Sequence, residues 1–422
     1  MEYKVWRERY WQLMRHGTRL RHLFQSTDPE LRRLVLKDQL DFFLRPGPPP
    51  PAAEATSRAR EALHWLYRAQ GATPDAGVSM GYFPLEGHGA AWRPSYPETT
   101  GYIIVTLMDY ADRYCDPEAR ERAWDMGRWE VAVQMANGAV QGGTLVDKEH
   151  QTPAVFNTGM VLQGWTRLLE NRWDDELAEA ARKAADFLLD DQDTNGHFRT
   201  HGHFVGTDPI KTYNVLCAWP LYKLGILLGK NTYQEAASRL ARAAMALQRD
   251  NGWFAHNDLT RPEAPLTHTI GYTLQGLLET GIATNHEAMI ASVARSMDRI
   301  IPLVDQHGFL PGRFNAHWQP ACRSSCLTGS AQIALVGFRL SEATGKPGYR
   351  ACSNRIVTFL QGLQNVTTPH PGVRGGLAGS FPMLTGGYMT AGYPNWATKY
   401  FLDALMIQDQ SVNRACQTKS PD

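Results

Sequence analysis

Glu98 stands first among the residues whose type and spacing can do chemistry. In WRPSYPETTGY one carboxylate follows Trp92, Arg93 and Tyr96 and directly precedes two threonines. Aromatic surroundings desolvate a carboxyl and lift its pKa toward the range where it exchanges protons near neutrality. The same residue also suits a plain structural task, as a negative charge at the positive end of a helix. Asp208, ahead of Pro209 and five residues before Tyr213, is the second carboxylate such a site calls for; an Asx turn is its structural alternative. Asp147 and Asp258 are the other candidates for that place, since sequence does not measure the separation that distinguishes an attacking carboxylate from one that positions water. His268, next to Thr269, is a candidate general base, with Tyr213 available as its acid partner.

A wider set of aromatic and polar side chains recurs in similar contexts. Trp92 and Tyr96 precede one predicted helix, and His203 lies in RTHGHFVGTDPIKTYN. Arg313, His317 and Trp318 occupy LPGRFNAHWQPACRSSCLTG, while Asn395 and Trp396 follow Tyr393. Flat rings, hydrogen-bonding groups and acid–base groups are together what a sugar requires, for its C–H faces, its hydroxyls and its chemistry. A guanidinium such as that of Arg313 would hold a substrate carboxylate in a bidentate contact. His201 and His203 stand two apart with no third ligand at diagnostic spacing, so no metal is expected. The sequence has no GxGxxG between strand and helix, no GxxxxGK[ST] and no GxSxG, and no cofactor is expected.

What positions these residues is a repeat of roughly sixty residues. Turns in QMANGAV, QDTNGHF, LQRDNGWF and VDQHGFL place Gly138, Gly196, Gly252 and Gly308 at intervals of 58, 56 and 56 residues. Between them run amphipathic stretches such as DDELAEAARKAADFLLDDQ, then more apolar ones opening at Thr100, Thr158, Thr212, Thr269, Thr328 and, divergently, after Tyr393. A threonine or asparagine before the glycine is expected to cap each apolar helix. The pattern predicts an all-α fold, an (α/α)6 barrel of six helical hairpins, in which the loops entering the inner helices converge on one mouth.

Three segments follow: an N-terminal helical extension over 1–47, the toroid over 52–410, and a polar tail over 411–422. The proline-rich run RPGPPPPAAE reads as a stiff linker between the first two. The 43 basic and 42 acidic residues balance, which gives no electrostatic reason to expect nucleic acid. The chain shows no span long and apolar enough for a bilayer, no secretory signal pattern and only dispersed cysteines, so a cytoplasmic location is expected.

The repeated TTGY, NTG and LTGS openings with the NGHF, NGWF and HGFL turns resemble the six-hairpin (α/α)6 toroids of carbohydrate-active enzymes, over about residues 52–410. These toroids include unsaturated uronyl hydrolases, sugar 2-epimerases and the C-terminal domain of glucuronyl C5-epimerases. The resemblance implies an oligo- or polysaccharide substrate, uronate-containing, cleaved by paired carboxylates. Epimerisation or elimination by a Tyr/His/Glu set is the alternative, and a non-catalytic glycan-binding toroid is a third reading. Terpene cyclases share the shape, but the acidic run here, Asp190 to Asp193, ends a predicted outer helix instead of entering a cavity.

Overall fold

The computed structural model describes residues 17–26, 28–44, 55–86, 91–202 and 210–409. Residues 17–25 are helical, and α1 (Pro29–Leu44) follows. Outer helices α2 (Ala55–Gly71), α4 (Pro117–Val133), α6 (Asp175–Asp191), α8 (Asn231–Ala246), α10 (Glu287–Ile300) and α12 (Pro347–Leu363) alternate with inner helices. The inner set is α3 (Pro97–Tyr114), α5 (Val155–Asn171), α7 (Ala218–Leu227), α9 (Thr267–Ala283), α11 (Leu327–Thr344) and α13 (Asn395–Gln408). The fold is the all-α six-hairpin toroid that the repeat predicts. His203, Asp208, the linker and the 411–422 tail lie outside the described residues.

Local chemistry sets the helix boundaries. Asp116 and Asp174 cap α4 and α6 by accepting the amides of Ala119 and Leu177, both at 3.0 Å. Inner helices lack a polar face because neighbours surround them: in α9 every residue from Thr267 to Gly281 is buried. Where α3 meets α5, a Cβ on Gly164 would come within 2.3 Å of the Gly101 carbonyl oxygen, so the two backbones touch only because no side chain intervenes.

The threonines that mark the inner helices do not cap them. Thr100 and Thr158 sit one turn inside, donating back to the carbonyls of Tyr96 (2.9 Å) and Ala154 (2.8 Å). The same hydroxyls accept the amides of Val78 and Val140, each at 2.9 Å, and Thr398 accepts that of Leu377 at 3.0 Å. Each threonine therefore ties an inner helix to the turn leaving the preceding outer helix. The third inner segment differs, since Thr212 opens a 3-10 stretch, Thr212–Cys217, before α7 begins.

Glutamines at the ends of the outer helices link each repeat to the next. The amide nitrogens of Gln134, Gln192 and Gln248 donate to the carbonyls of Gly138, Gly196 and Gly252 in their own turns. They also reach the carbonyls of Ala180, Ala236 and Ser292 on the next outer helix, at 2.8 to 3.1 Å. Gln364 makes the same link to Arg58 at 3.1 Å, which closes the ring from α12 onto α2. In the fifth repeat Val304 holds the glutamine's position, yet Gly308 (φ +90°) still lies so close to the Arg355 carbonyl that a Cβ there would be 2.1 Å from it.

The hairpins are not paired as the linear repeat suggests. Each inner helix packs with the outer helix that follows it, and the sixth hairpin joins α13 to α2. Four two-residue strands brace the mouth: β1 (Gly81–Tyr82) pairs with β4 (Tyr393–Pro394), and β2 (Ser325–Cys326) with β3 (Ser380–Phe381), both antiparallel. Outside the ring, Leu31 and Val35 of α1 are buried, and Asp38 accepts the Met383 amide in the loop following β3.

Candidate active site

The starts of five inner segments face a cavity of about 300 Å³. Tyr96 caps α3 and Glu98 lies in its first turn, Phe156 comes from α5, Tyr213 and Asn214 from the 3-10 stretch, His268 and Tyr272 from α9, and Trp396 from α13. Loops supply Met80, Thr144, His201, Leu259, Tyr388 and Met389. The volume is at the small end for ligand sites and fits a ring or two, not a packed polymer.

Two aromatic walls enclose the space. Phe156 meets Tyr213 edge-on at 5.2 Å and Tyr272 at 4.7 Å. Opposite runs a second series, with Tyr96 edge-on to Trp396 at 6.0 Å and Tyr388 6.5 Å from Trp396. His268 bridges the walls, its ring 4.4 Å from Tyr272 and 5.3 Å from Tyr388. Such surfaces suit the C–H faces of a sugar. One buried polar atom in the lining, the acceptor Asn214 Oδ1, has no hydrogen-bond partner in the protein.

Glu98 occupies the first turn of α3, after Pro97, and is buried. Burial pushes its carboxyl up to about 7, opposed only by the Tyr96 hydroxyl, which donates to Oε2 at 2.9 Å. Burial drives His268 the other way, down to about 4, against a hydrogen bond to Gln332 that pulls upward. Nδ1 lies 2.7 Å from Gln332 Oε1, an acceptor, so Nδ1 carries the proton and Nε2 the lone pair. Tyr96, Tyr272 and Tyr388 are held well above the ordinary phenol range by burial. Near neutrality the lining thus holds one carboxyl poised to gain or lose a proton and one imidazole fixed in its neutral form.

Of the residues expected from the sequence, Glu98, His268, Tyr213, Tyr96 and Trp396 come together here. The others that the structure describes stand outside the lining, each with a physical reason. Trp92 packs on Trp65 and Tyr82 at 5.3 and 5.2 Å. Asp147 is exposed ahead of the 3-10 turn Lys148–His150. Asp258 is buried against Lys211 Nζ at 3.3 Å. Arg313 donates to the Ala264 carbonyl at 2.6 Å, and His317 is an exposed turn residue. Trp318 donates to the Asn251 carbonyl at 2.9 Å while meeting Trp253 edge-on. Asn395 joins Ser79 to Thr99 at 2.8 and 2.7 Å.

The fifth junction, where Arg313, His317 and Trp318 reside, contributes nothing to the lining because β3 crosses the start of α11 and carries Tyr388 and Met389 into that sector. Tyr388 and Met389 lie in SFPMLTGGYMTAGYP, which shares no repeat motif, and nothing local in the sequence singles them out. Phe156 was detectable, as it directly precedes Asn157 of NTG.

No protein-family model matches the chain, and no curated protein matches it in sequence. Among the described residues no helix is long and apolar enough to cross a membrane. Solved structures do match in fold. An unsaturated glucuronyl hydrolase specific for heparin superposes with a TM-score of 0.67 at 17% identity, over 84% of this chain and 96% of that one. The unsaturated glucuronyl hydrolase of Bacillus sp. GL1, responsible for the degradation of glycosaminoglycan, gives 0.66 at 15%, over 85% and 98%. A D-mannose isomerase gives 0.64 at 12%, again over 85% and 98%. The chain has the six-hairpin (α/α)6 toroid fold of these carbohydrate-active enzymes.

Proposed function

We propose that the protein is a carbohydrate-active enzyme whose reaction is proton transfer within this cavity, with Glu98 as the exchanging acid and base and His268 as a neutral acceptor. The observation that carries this reading is the juxtaposition of one carboxyl, raised to about 7, with one neutral imidazole in a single aromatic lining. Such a pair suits isomerisation, epimerisation or elimination. One group removes a proton from the carbon beside a carbonyl while the other protonates the oxygen. Deprotonation of an enediol oxygen with return of a proton to the neighbouring carbon, or to the opposite face of the same carbon, gives the isomer or epimer and restores both groups. In elimination the proton goes instead to the departing glycosidic oxygen.

Glycoside hydrolysis by paired carboxylates is the second reading. Among the described lining residues Glu98 is the only carboxylate, and Asp258 is tied to Lys211. This reading therefore draws its second carboxylate from Asp208, which lining residues His201 and Tyr213 bracket in sequence. Incubation with neutral and uronate oligosaccharides in deuterated water separates the two. Deuterium at a sugar carbon without cleavage, lost in Glu98→Gln, supports proton transfer. Chain shortening with saturated ends, lost in both Glu98→Gln and Asp208→Asn, supports hydrolysis; shortening that leaves an unsaturated end supports elimination, and no change in any sugar refutes both.

A further inference from the structure

We infer that the cavity selects an uncharged sugar ring over a uronate, an inference that rests on the saccharide reading above. Among the described lining residues there is no lysine or arginine.

Of the cations near the lining in sequence, Arg199 donates to the Asp191 carbonyl at 3.1 Å and Arg261 pairs with Glu263 at 3.0 Å. Lys211 faces Asp258, and the two side chains are 0% and 3% exposed. Lys399 pairs with Asp403 at 2.7 Å and rests 4.0 Å from the Tyr400 ring. Arg93 pairs with Glu86 at 2.7 Å, and Arg313 is turned onto the Ala264 carbonyl. His268 stays neutral, the Asn214 side-chain amide lies 3.2 Å from His201 Nδ1, and Glu98 is the one carboxyl of the described lining.

A uronate entering this space would lose its hydration without gaining a lysine or arginine partner from the described lining and would meet a like charge once Glu98 ionises. The groups actually present, aromatic faces with the unpartnered Asn214 Oδ1, match hydroxyls and C–H surfaces. The arginine that the sequence offered for a carboxylate is directed into the wall.

Calorimetry with matched pairs tests this: methyl glucoside against methyl glucuronide, the galactose and mannose equivalents, and their disaccharides, at pH 6 and 8.5. The neutral member of the preferred pair is expected to bind at least tenfold more tightly, with the ratio widening at pH 8.5. Glu98→Gln should abolish that widening while keeping the preference. Thr144→Arg, on the half-buried rim, should shift the ratio toward the uronate. Equal or tighter uronate binding by the unmodified protein overturns this inference and leaves the saccharide reading standing. Failure of every sugar to bind at tens of millimolar overturns the saccharide reading, and the inference with it.

Discussion

The Tyr96 hydroxyl donates to Glu98 Oε2 at 2.9 Å across a single intervening proline, with both side chains buried. Burial raises the carboxyl pKa and this bond alone restrains it. Tyr96→Phe removes the restraint, so the pH–rate limb belonging to Glu98 should move upward by about half to one unit. A profile that stays in place would mean that another group controls that limb.

Glu98→Gln should reduce turnover by about 10² to 10⁴, the usual contribution of a positioned acid or base, with an unchanged circular dichroism spectrum. Its stability should change in the opposite direction. A carboxyl near 7 in the fold and near 4.5 when unfolded lets the folded state hold the extra proton between those values, so stability falls as pH rises through that window. At pH 8.5 the penalty is roughly 3 kcal/mol, and the glutamine variant should melt higher than the parent there but not at pH 4.5.

His268 shapes the acidic side. Its folded pKa of about 4 lies below the unfolded 6.5, so the unfolded chain takes up the proton first, and stability is lost as pH falls from 6.5 toward 4. His268→Gln should flatten the melting temperature over that range. The same variant should also lose activity at pH 7, where a merely structural histidine would matter little to turnover.

Asp38 of α1 is tied to a loop that lines the cavity. Its carboxylate accepts the Met383 amide, and the same loop carries Tyr388 and Met389 into the lining. Asp38→Ala leaves that amide without its partner. The expected cost is about 1–2 kcal/mol in urea unfolding, with a several-fold rise in KM and little change in kcat. A pure stability loss with KM unaltered would uncouple α1 from the site.

Gln364 donates to both Arg58 and Gly375, at 3.1 and 2.9 Å, and so joins the two ends of the repeat array. Gln364→Ala should cost about 1–3 kcal/mol, as should the mid-ring Gln248→Ala. Only the first should hasten proteolysis ahead of α2, because only it loosens the link of α2 to α12. Equal cleavage in both variants would contradict a special role for the seam.

The toroid was legible because a sixty-residue period in glycines and threonines directly records how one hairpin stacks on the next. Inner helices could be told from outer ones because burial on all sides erases the polar face, as in α9. The threonines were found but misassigned. A hydroxyl one turn inside a helix and a hydroxyl at its cap leave the same sequence mark, and only the amides of Val78 and Val140 tell them apart. Glu98, His268, Tyr213, Tyr96 and Trp396 were legible because they immediately adjoin the inner-helix starts. Trp92, Arg313 and Trp318 carry the same chemistry but are used to build the wall, a difference that depends on where each side chain turns. Tyr388 was illegible because a crossing between repeats brings it in.

The pairing of α13 with α2 makes this a site that is assembled late. Its lining is drawn from Met80 through to Trp396, and its last hairpin joins segments more than three hundred residues apart. During synthesis Glu98 emerges long before the wall that desolvates it, and until α13 docks it is an ordinary acidic side chain in water. The enclosed setting of Glu98 and completion of the ring therefore arrive in the same step.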